Sequence, residues 1–372
     1  MKIGILTLTL HTNYGGILQA YALQTVLERM GHEVVVFNRP FVPLKTRWLE
    51  VFKRIIKKTI GKDVAIFKEL KYNREAPYIN HDVWEFRKKY INERTIDSLY
   101  EIRENDVDCI VVGSDQVWRP EYFESQWETG IENAYLWFTK DWTIKRIVYA
   151  ASFGVDMWEM SESKTHRCLD AIKRIDAVSL RESNGVVMVR QKFKIDASLV
   201  LDPTLLLNVD EYKELIKKDK TPISPGNMLV YVLDVNKQKR KYLNQLLDDG
   251  KYTPFTVNNT MVSETAQLKD RKLPSVESWL RGFYDADYIV TDSFHACVFS
   301  IIFGKPFTVF ANDSRGLSRI TSLFETLKIN ANEFNITNSS NVMKVFSVDN
   351  LAGNRLTQMR NFSMDYLKNS LE

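Results

Sequence analysis

The segment TDSFHACVFSIIFGKPFTVF, residues 291–310, sets one imidazole, His295, between two apolar runs, Tyr288-Ile289-Val290 and Val298 to Phe303. An imidazole in that setting serves as a packed core group, a metal ligand or a proton donor. Metal binding fits poorly: no second histidine stands at ligand spacing, and Asp292 alone is too little. GxSxG and GxxxxGK[ST] are absent, so the sequence carries neither a nucleophile elbow nor a P-loop. His295 follows Asp292-Ser293-Phe294 at a strand-to-helix junction, the place where α/β sheets deliver side chains to a cleft. Lys305, Arg315 and Arg319 come shortly after. An imidazole, several cations and a helix N-terminus on one side of a cleft suit an anionic donor that must also be protonated.

The first half of the chain supplies further groups. Asn13, Tyr14, Gly15 and Gly16 join a first strand to a helix. Glycines there let the backbone approach a ligand, and the helix N-terminus favours an anion; a plain tight turn has the same signature. Asp115, in Gly113-Ser114-Asp115-Gln116, follows another strand. Its carboxylate suits deprotonation of a hydroxyl, and equally a helix cap or turn. Arg181 ends the strand AVSL with Glu182 and Ser183 behind it. It suits a bidentate clamp on a carboxylate or phosphate, or an ion pair with Glu182 or a nearby acid. Ser152 ends the strand before and reads as structural, since no base accompanies it.

These residues need strands to carry them. Residues 2–10 read as a strand, 17–30 as a helix closed by Gly31, and EVVVFN as a second strand. That βαβ opening predicts a parallel sheet. Residues 45–100 interrupt the alternation with basic helical segments. Strands then recur at 108–112, 146–154 and 177–182. A polar stretch with Pro and Gly, 217–227, is followed by a second βαβα rhythm. The expected architecture is α/β: two doubly wound Rossmann-like domains facing a cleft. The first would cover residues 1–215, with a basic helical insertion at about 42–100, and the second 225–350. A last helix within 351–372 would pack back on the first domain.

Composition narrows the function classes. The 372 residues carry a formal net charge of +4, too weak a bias for a nucleic-acid binder. Cys109, Cys168 and Cys297 form no CxxC pair. Their odd number, and a start that reads as a strand rather than a signal peptide, point to a reducing, cytoplasmic setting. No apolar run is long enough to cross a bilayer.

Read in order, NYGGILQAYALQ, VVGSDQVW, YAASFG, VSLRES, LDPTLLL, TDSFHACVFSIIFGKPF and SRITSL form a series. From about residue 3 to about 328 it resembles the polysaccharide pyruvyl transferase family. That resemblance implies a fold like the GT-B glycosyltransferases. It also implies transfer of the enolpyruvyl carbons of phosphoenolpyruvate to a sugar, forming a pyruvate ketal on a bacterial surface glycan and releasing phosphate. No metal or organic cofactor is implied. His295 matches the family's histidine, Arg181 its V-S-x-R-E arginine, and Arg319 a recurrent basic position. Arg181 and Arg319 are thereby expected to hold donor anions, and Asp115 to orient or deprotonate the acceptor. Ser293 stands where some members carry an arginine, so Arg315 or Lys305 is the expected substitute. A nucleotide-sugar glycosyltransferase and a non-catalytic glycan-binding protein share this architecture and remain the alternatives.

The stretch KTRWLEVFKRIIKKTIGK, residues 45–62, sets Trp48, Phe52, Ile55 and Ile56 on one helical face amid Lys53, Arg54, Lys57 and Lys58. This is the pattern of an interfacial helix on anionic lipid, useful to an enzyme with a lipid-linked oligosaccharide acceptor. A helix packed between domains with a solvated basic edge has the same pattern.

Overall fold

The computed structural model describes residues 1–61, 64–248, 250–258, 267–310, 317–337, 340–345 and 350–372. Strands β1 (Lys2–Leu6), β2 (Glu33–Asn38), β3 (Glu93–Thr95), β4 (Cys109–Val112), β5 (Lys145–Ala151), β6 (Ala177–Leu180) and β7 (Ser198–Leu199) build one sheet. Its order is β3-β2-β1-β4-β5-β6-β7, and every pairing is parallel. The reason is visible in the sequence: CIVV and most of KRIVYAA are apolar on both faces, as strands covered by helices on both sides must be.

A second sheet contains β8 (Met228–Tyr231), β9 (Pro254–Phe255), β10 (Tyr288–Thr291), β11 (Phe307–Phe310), β12 (Asn332–Thr337) and β13 (Ser340–Val345). Its order is β12-β13-β11-β10-β8-β9. The expected α/β pair of doubly wound sheets is therefore present, with one difference. β13 runs antiparallel to β11, and β12 antiparallel to β13, so a hairpin closes one edge of the second sheet. NEFNIT is short and holds two Asn and a Glu, residues depleted in strands, which is why the sequence does not announce it.

Each sheet has one switch point, where neighbouring strands send their chains to opposite sides. In the first sheet it lies between β1 and β4, in the second between β8 and β10. The two halves are not merely tethered. One contiguous core includes Ile3 and Ile5 of β1 together with Ile289 of β10 and Val309 of β11. Tyr14 stacks on Trp279 at 5.6 Å and donates to the Pro274 carbonyl at 2.7 Å. Ser183 N–H donates to Ser322 Oγ at 2.9 Å. One space between the halves lies at the carboxyl edges of the strands.

The final helix, Asn350–Leu371, returns to the first sheet. Arg360 Nε donates to the Leu205 carbonyl at 2.8 Å, and Tyr366 Oη to the Val148 carbonyl at 3.2 Å. Leu201 N–H donates to Ser363 Oγ at 3.0 Å in a buried position. All three cysteines are buried and unpaired. Among the described residues no helix is long and apolar enough to cross a membrane. Ser363→Ala leaves the Leu201 N–H buried without its acceptor. The expected loss is about 1–3 kcal/mol in denaturant unfolding, with the fold retained.

Candidate active site

The two switch points open into one cavity of about 470 Å³, a size suited to a small ligand. Asn13 and Asp115 reach it from the ends of β1 and β4, and Asn13 Nδ2 donates to Asp115 Oδ2 at 3.2 Å. Ser293 and His295 reach it from the end of β10. Two helices begin here, Tyr14–Arg29 with Asn13 at its N-cap and Phe294–Ile302 with Ser293 at its N-cap. Neither N-cap side chain caps its helix, and neither first turn contains an acid. Both positive helix ends are therefore left for a ligand.

His295 sits between the halves. A Cβ on Gly15 would come within 2.1 Å of His295 Nδ1, so the glycine permits the ring's close approach. Behind the ring, Gln19 Nε2 lies 2.6 Å from His295 Nε2 and 3.0 Å from Asp202 Oδ2. A reversed amide would set its oxygen against the Asp202 carboxylate. The nitrogen therefore donates both ways, His295 Nε2 accepts, and the neutral ring carries its proton on Nδ1. Burial lowers the His295 pKa to about 4, against the pull of Asp202 and Asp115 and with the push of Arg181 and Arg319.

Arg181 does not line the cavity. Its side chain is 1% exposed, with Asp202 at 2.7 Å and Asp115 and Glu182 each at 3.4 Å. Burial alone would lower its pKa, but these three carboxylates outweigh that and hold the guanidinium charged. The expected direct clamp on a donor anion is thus replaced by a buried crosslink, because the planar fork is already occupied by carboxylates. Glu182 also accepts from Ser152 Oγ, which gives that serine its structural role. Burial raises the Glu182 carboxyl despite Arg181 beside it.

The cationic wall comes from elsewhere. Arg319 lines the cavity, and burial, then Arg181, lower its pKa to about 10. Both guanidinium groups lie over the Phe294 ring, Arg181 at 4.5 Å and Arg319 at 5.6 Å from its centroid. Arg119 also lines the cavity, held by Glu159 at 3.1 Å and over the Tyr122 ring at 4.7 Å. Sequence patterns did not single out Arg119, which lies beyond VVGSDQVW in a segment without strand or helix periodicity; nor did they mark Gln19 or Asp202, though both lie within the quoted motifs. Lys305 precedes β11 and sits near Asp287 and Asp285, at the amino edge of the sheet and away from the cavity. Arg315 lies outside the described residues. Tyr14 and Ser293 line the cavity; Gly15 and Gly16 form the first turn above Asp115, where a Cβ on Gly16 would stand 3.6 Å from Asp115 Oδ2. Asp115 itself has φ of +67°, a left-handed backbone that only its surroundings hold in place. Asp292 accepts from Leu233 N–H, Asp234 N–H and Lys239 Nζ, so it ties the second switch point together. Among the described residues no group of three His, Cys, Asp or Glu side chains is placed to hold a metal ion.

Two outcomes follow for stability. Arg181→Ala strands three buried carboxylates and is expected to cost about 3–5 kcal/mol in denaturant unfolding. For His295 the folded pKa lies below the unfolded 6.5, so only the unfolded chain takes up the proton between pH 6.5 and about 4. Its contribution is complete above pH 6.5 and is lost as pH falls through that window, by about 2 kcal/mol at pH 5. Glu277, whose carboxyl burial raises to about 7, acts in the opposite direction but equally in both proteins compared. Unfolding at pH 7 and pH 5 should therefore show a smaller acid loss in His295→Gln than in the wild type.

Comparison with known proteins adds a family and a set of similar folds. No curated protein matches the sequence. Among solved structures, UDP-GlcNAc 2-epimerase from Methanocaldococcus jannaschii is 12% identical, with TM-score 0.44, over 82% of this chain and 83% of that one. MurG of Acinetobacter baumannii is 11% identical, with TM-score 0.39, over 87% and 84%. UGT2 of Phytolacca americana is 11% identical, with TM-score 0.40, over 99% and 94%. The family model for polysaccharide pyruvyl transferase matches residues 13–314, which contain the second switch point, the two uncapped helix N-termini and His295. The chain belongs to the polysaccharide pyruvyl transferase family.

Proposed function

We propose that the protein moves the enolpyruvyl group of phosphoenolpyruvate onto a sugar of a bacterial surface polysaccharide or its lipid-linked precursor, in the cytoplasm. The observation that carries this reading is the meeting of two uncapped helix N-termini with His295 and Arg319 in one cavity. Phosphoenolpyruvate brings a carboxylate and a phosphate, and both need positive charge that water does not screen. Arg319 and Arg119 face the cavity and serve those anions; Arg181 acts as a positioning residue behind them. Ser293, in place of an arginine, leaves that task to these two guanidinium groups and the helix ends.

The reaction protonates the donor methylene, so that C2 becomes oxocarbenium-like. One sugar hydroxyl adds at C2, the C2–O bond to phosphate breaks, and the second hydroxyl closes the ketal. One hydroxyl proton balances the one gained by the new methyl group, and the other leaves with phosphate. Asp115, fixed by Asn13 and Arg181, takes a proton from the acceptor. Tyr122, Tyr231 and Phe294 line the cavity and supply apolar surface to a sugar. His295 acts as general acid, or donates a hydrogen bond to the leaving phosphate. The neutral ring is compatible with this, because a bound anion raises the pKa of an adjacent imidazole.

Incubation with phosphoenolpyruvate and lipid-linked or free oligosaccharides should release inorganic phosphate as ketal forms. His295→Asn is expected to lower kcat by about 10²–10⁴-fold. Release of a nucleoside diphosphate from a nucleotide sugar instead would make the protein a glycosyltransferase, and an intact donor with every acceptor would favour a binding protein. Calorimetric titration of phosphoenolpyruvate in buffers of different ionisation enthalpy should show proton uptake in the wild type that His295→Asn lacks. Equal uptake in both would remove His295 as the group that donor binding protonates.

A further inference from the structure

The helix Trp48–Thr59 leaves β2 through residues 39–47 and packs only a narrow strip against the protein. Val51 is 2% exposed, whereas Trp48 is 66%, Leu49 79%, Phe52 63% and Ile56 62% exposed. At 3.6 residues per turn these four side chains fall on one arc, extended by Ile60, which is 67% exposed. A soluble helix normally buries such an arc and shows its polar face to water; here the arrangement is inverted.

Arg54 sets that orientation. It is not part of the exposed basic group, as sequence pattern suggested, but pairs with Glu69 through two hydrogen bonds of 2.7 and 2.6 Å. Both side chains are about nine-tenths buried, at 11% and 10% exposure, so this pair pins the opposite face. Lys53 and Lys57 flank the apolar arc, with Lys58, Lys45 and Arg47 also exposed; the helix's one acid, Glu50, pairs with Lys53 at 2.7 Å.

We infer that this face docks on an anionic lipid surface. The charge pattern selects that occupant. A two-fold contact with a second copy would bring two copies of the Lys53, Lys57 and Lys58 cluster to one interface. A nucleic acid would meet Trp48, Leu49, Phe52 and Ile56 rather than a cationic surface. Acidic headgroups meet the lysines while the apolar arc enters the acyl boundary, and the tryptophan suits the interface between them. The same helix is joined to the cavity wall. Arg54 holds Glu69 of the helix Lys68–Ile79, Ile79 accepts from Leu273 N–H at 2.8 Å, and Leu273 lines the cavity. Docking would therefore bring the cleft to the membrane at a fixed attitude. Its use for a lipid-linked acceptor rests on the function proposed above; the docking itself does not.

The test is co-sedimentation of the full chain with vesicles of phosphatidylglycerol and phosphatidylcholine at low salt, and with phosphatidylcholine alone. Neither donor nor turnover is needed, so failure here is distinct from failure of the proposed chemistry. Binding to the anionic vesicles and not to the neutral ones is expected. It should weaken at least about tenfold in Leu49→Glu/Phe52→Glu/Ile56→Glu, and again in Lys53→Glu/Lys57→Glu/Lys58→Glu. The lysine variant alters only exposed side chains and decides the matter if the apolar variant does not fold. No binding to anionic vesicles overturns the inference, as does binding that both variants retain. A wild-type dimer that the apolar variant dissociates, without vesicle binding, would assign the face to a second copy instead.

Discussion

Asp202 is the carboxylate on which the site depends. Its Oδ2 accepts from Arg181 Nη1 at 2.7 Å, Gln19 Nε2 at 3.0 Å and Ser114 Oγ at 3.4 Å. Its Oδ1 accepts from Thr204 N–H and Oγ1 at 3.0 and 2.6 Å. Burial pushes this carboxyl up, and the Arg181 charge and the two Thr204 hydrogen bonds act against it, so its pKa stays below the usual value. A buried charge persists only when its lone pairs are satisfied, and here they are satisfied by residues from four separate parts of the chain. Through Gln19 the same carboxylate reaches His295, in the second half of the chain. One anion thus fixes the β6 end, the start of the first helix and the His295 face of the second half relative to each other.

That arrangement explains why the cavity can be charged and still be built into a single core. Arg181 takes no direct part in lining it; it holds Asp115 on one side and Asp202 on the other. The groups that face the cavity include the His295 ring, the Asp115 carboxylate, two guanidinium groups and two helix ends, with aromatic rings between them. Preorganised dipoles and charges of this kind act strongly because their reorganisation has already been completed by folding. The lowered pKa of His295 follows from the same burial.

Much of the fold was legible because β1, β2, β4 and β10 are short apolar runs that end where turn residues begin. Strand ends in a doubly wound sheet face one edge, so Asn13, Asp115 and His295 could be placed near a cleft before any contact was known. The β12–β13 hairpin was not legible, since β12 is short and rich in residues depleted in strands, and neither was the direction in which Arg181 points its five donors. Arg119 was missed because nothing local distinguishes a cavity-facing arginine from a surface one. Lys305 illustrates the converse. It lies ten residues from His295, but the intervening helix carries it to the opposite edge of the sheet.

The sequence by itself determined the α/β class, the order of elements and the motif series that places the chain in its family, because apolar period and turn chemistry are local properties. The tertiary structure alone decided which charges meet. Asp202 lies 183 residues from Gln19 and 21 from Arg181, and His295 lies 276 residues from Gln19. No spacing along the chain encodes those approaches. They arise when two switch points are brought together over a shared core, and the burial that results sets both the protonation of His295 and the partners of Arg181.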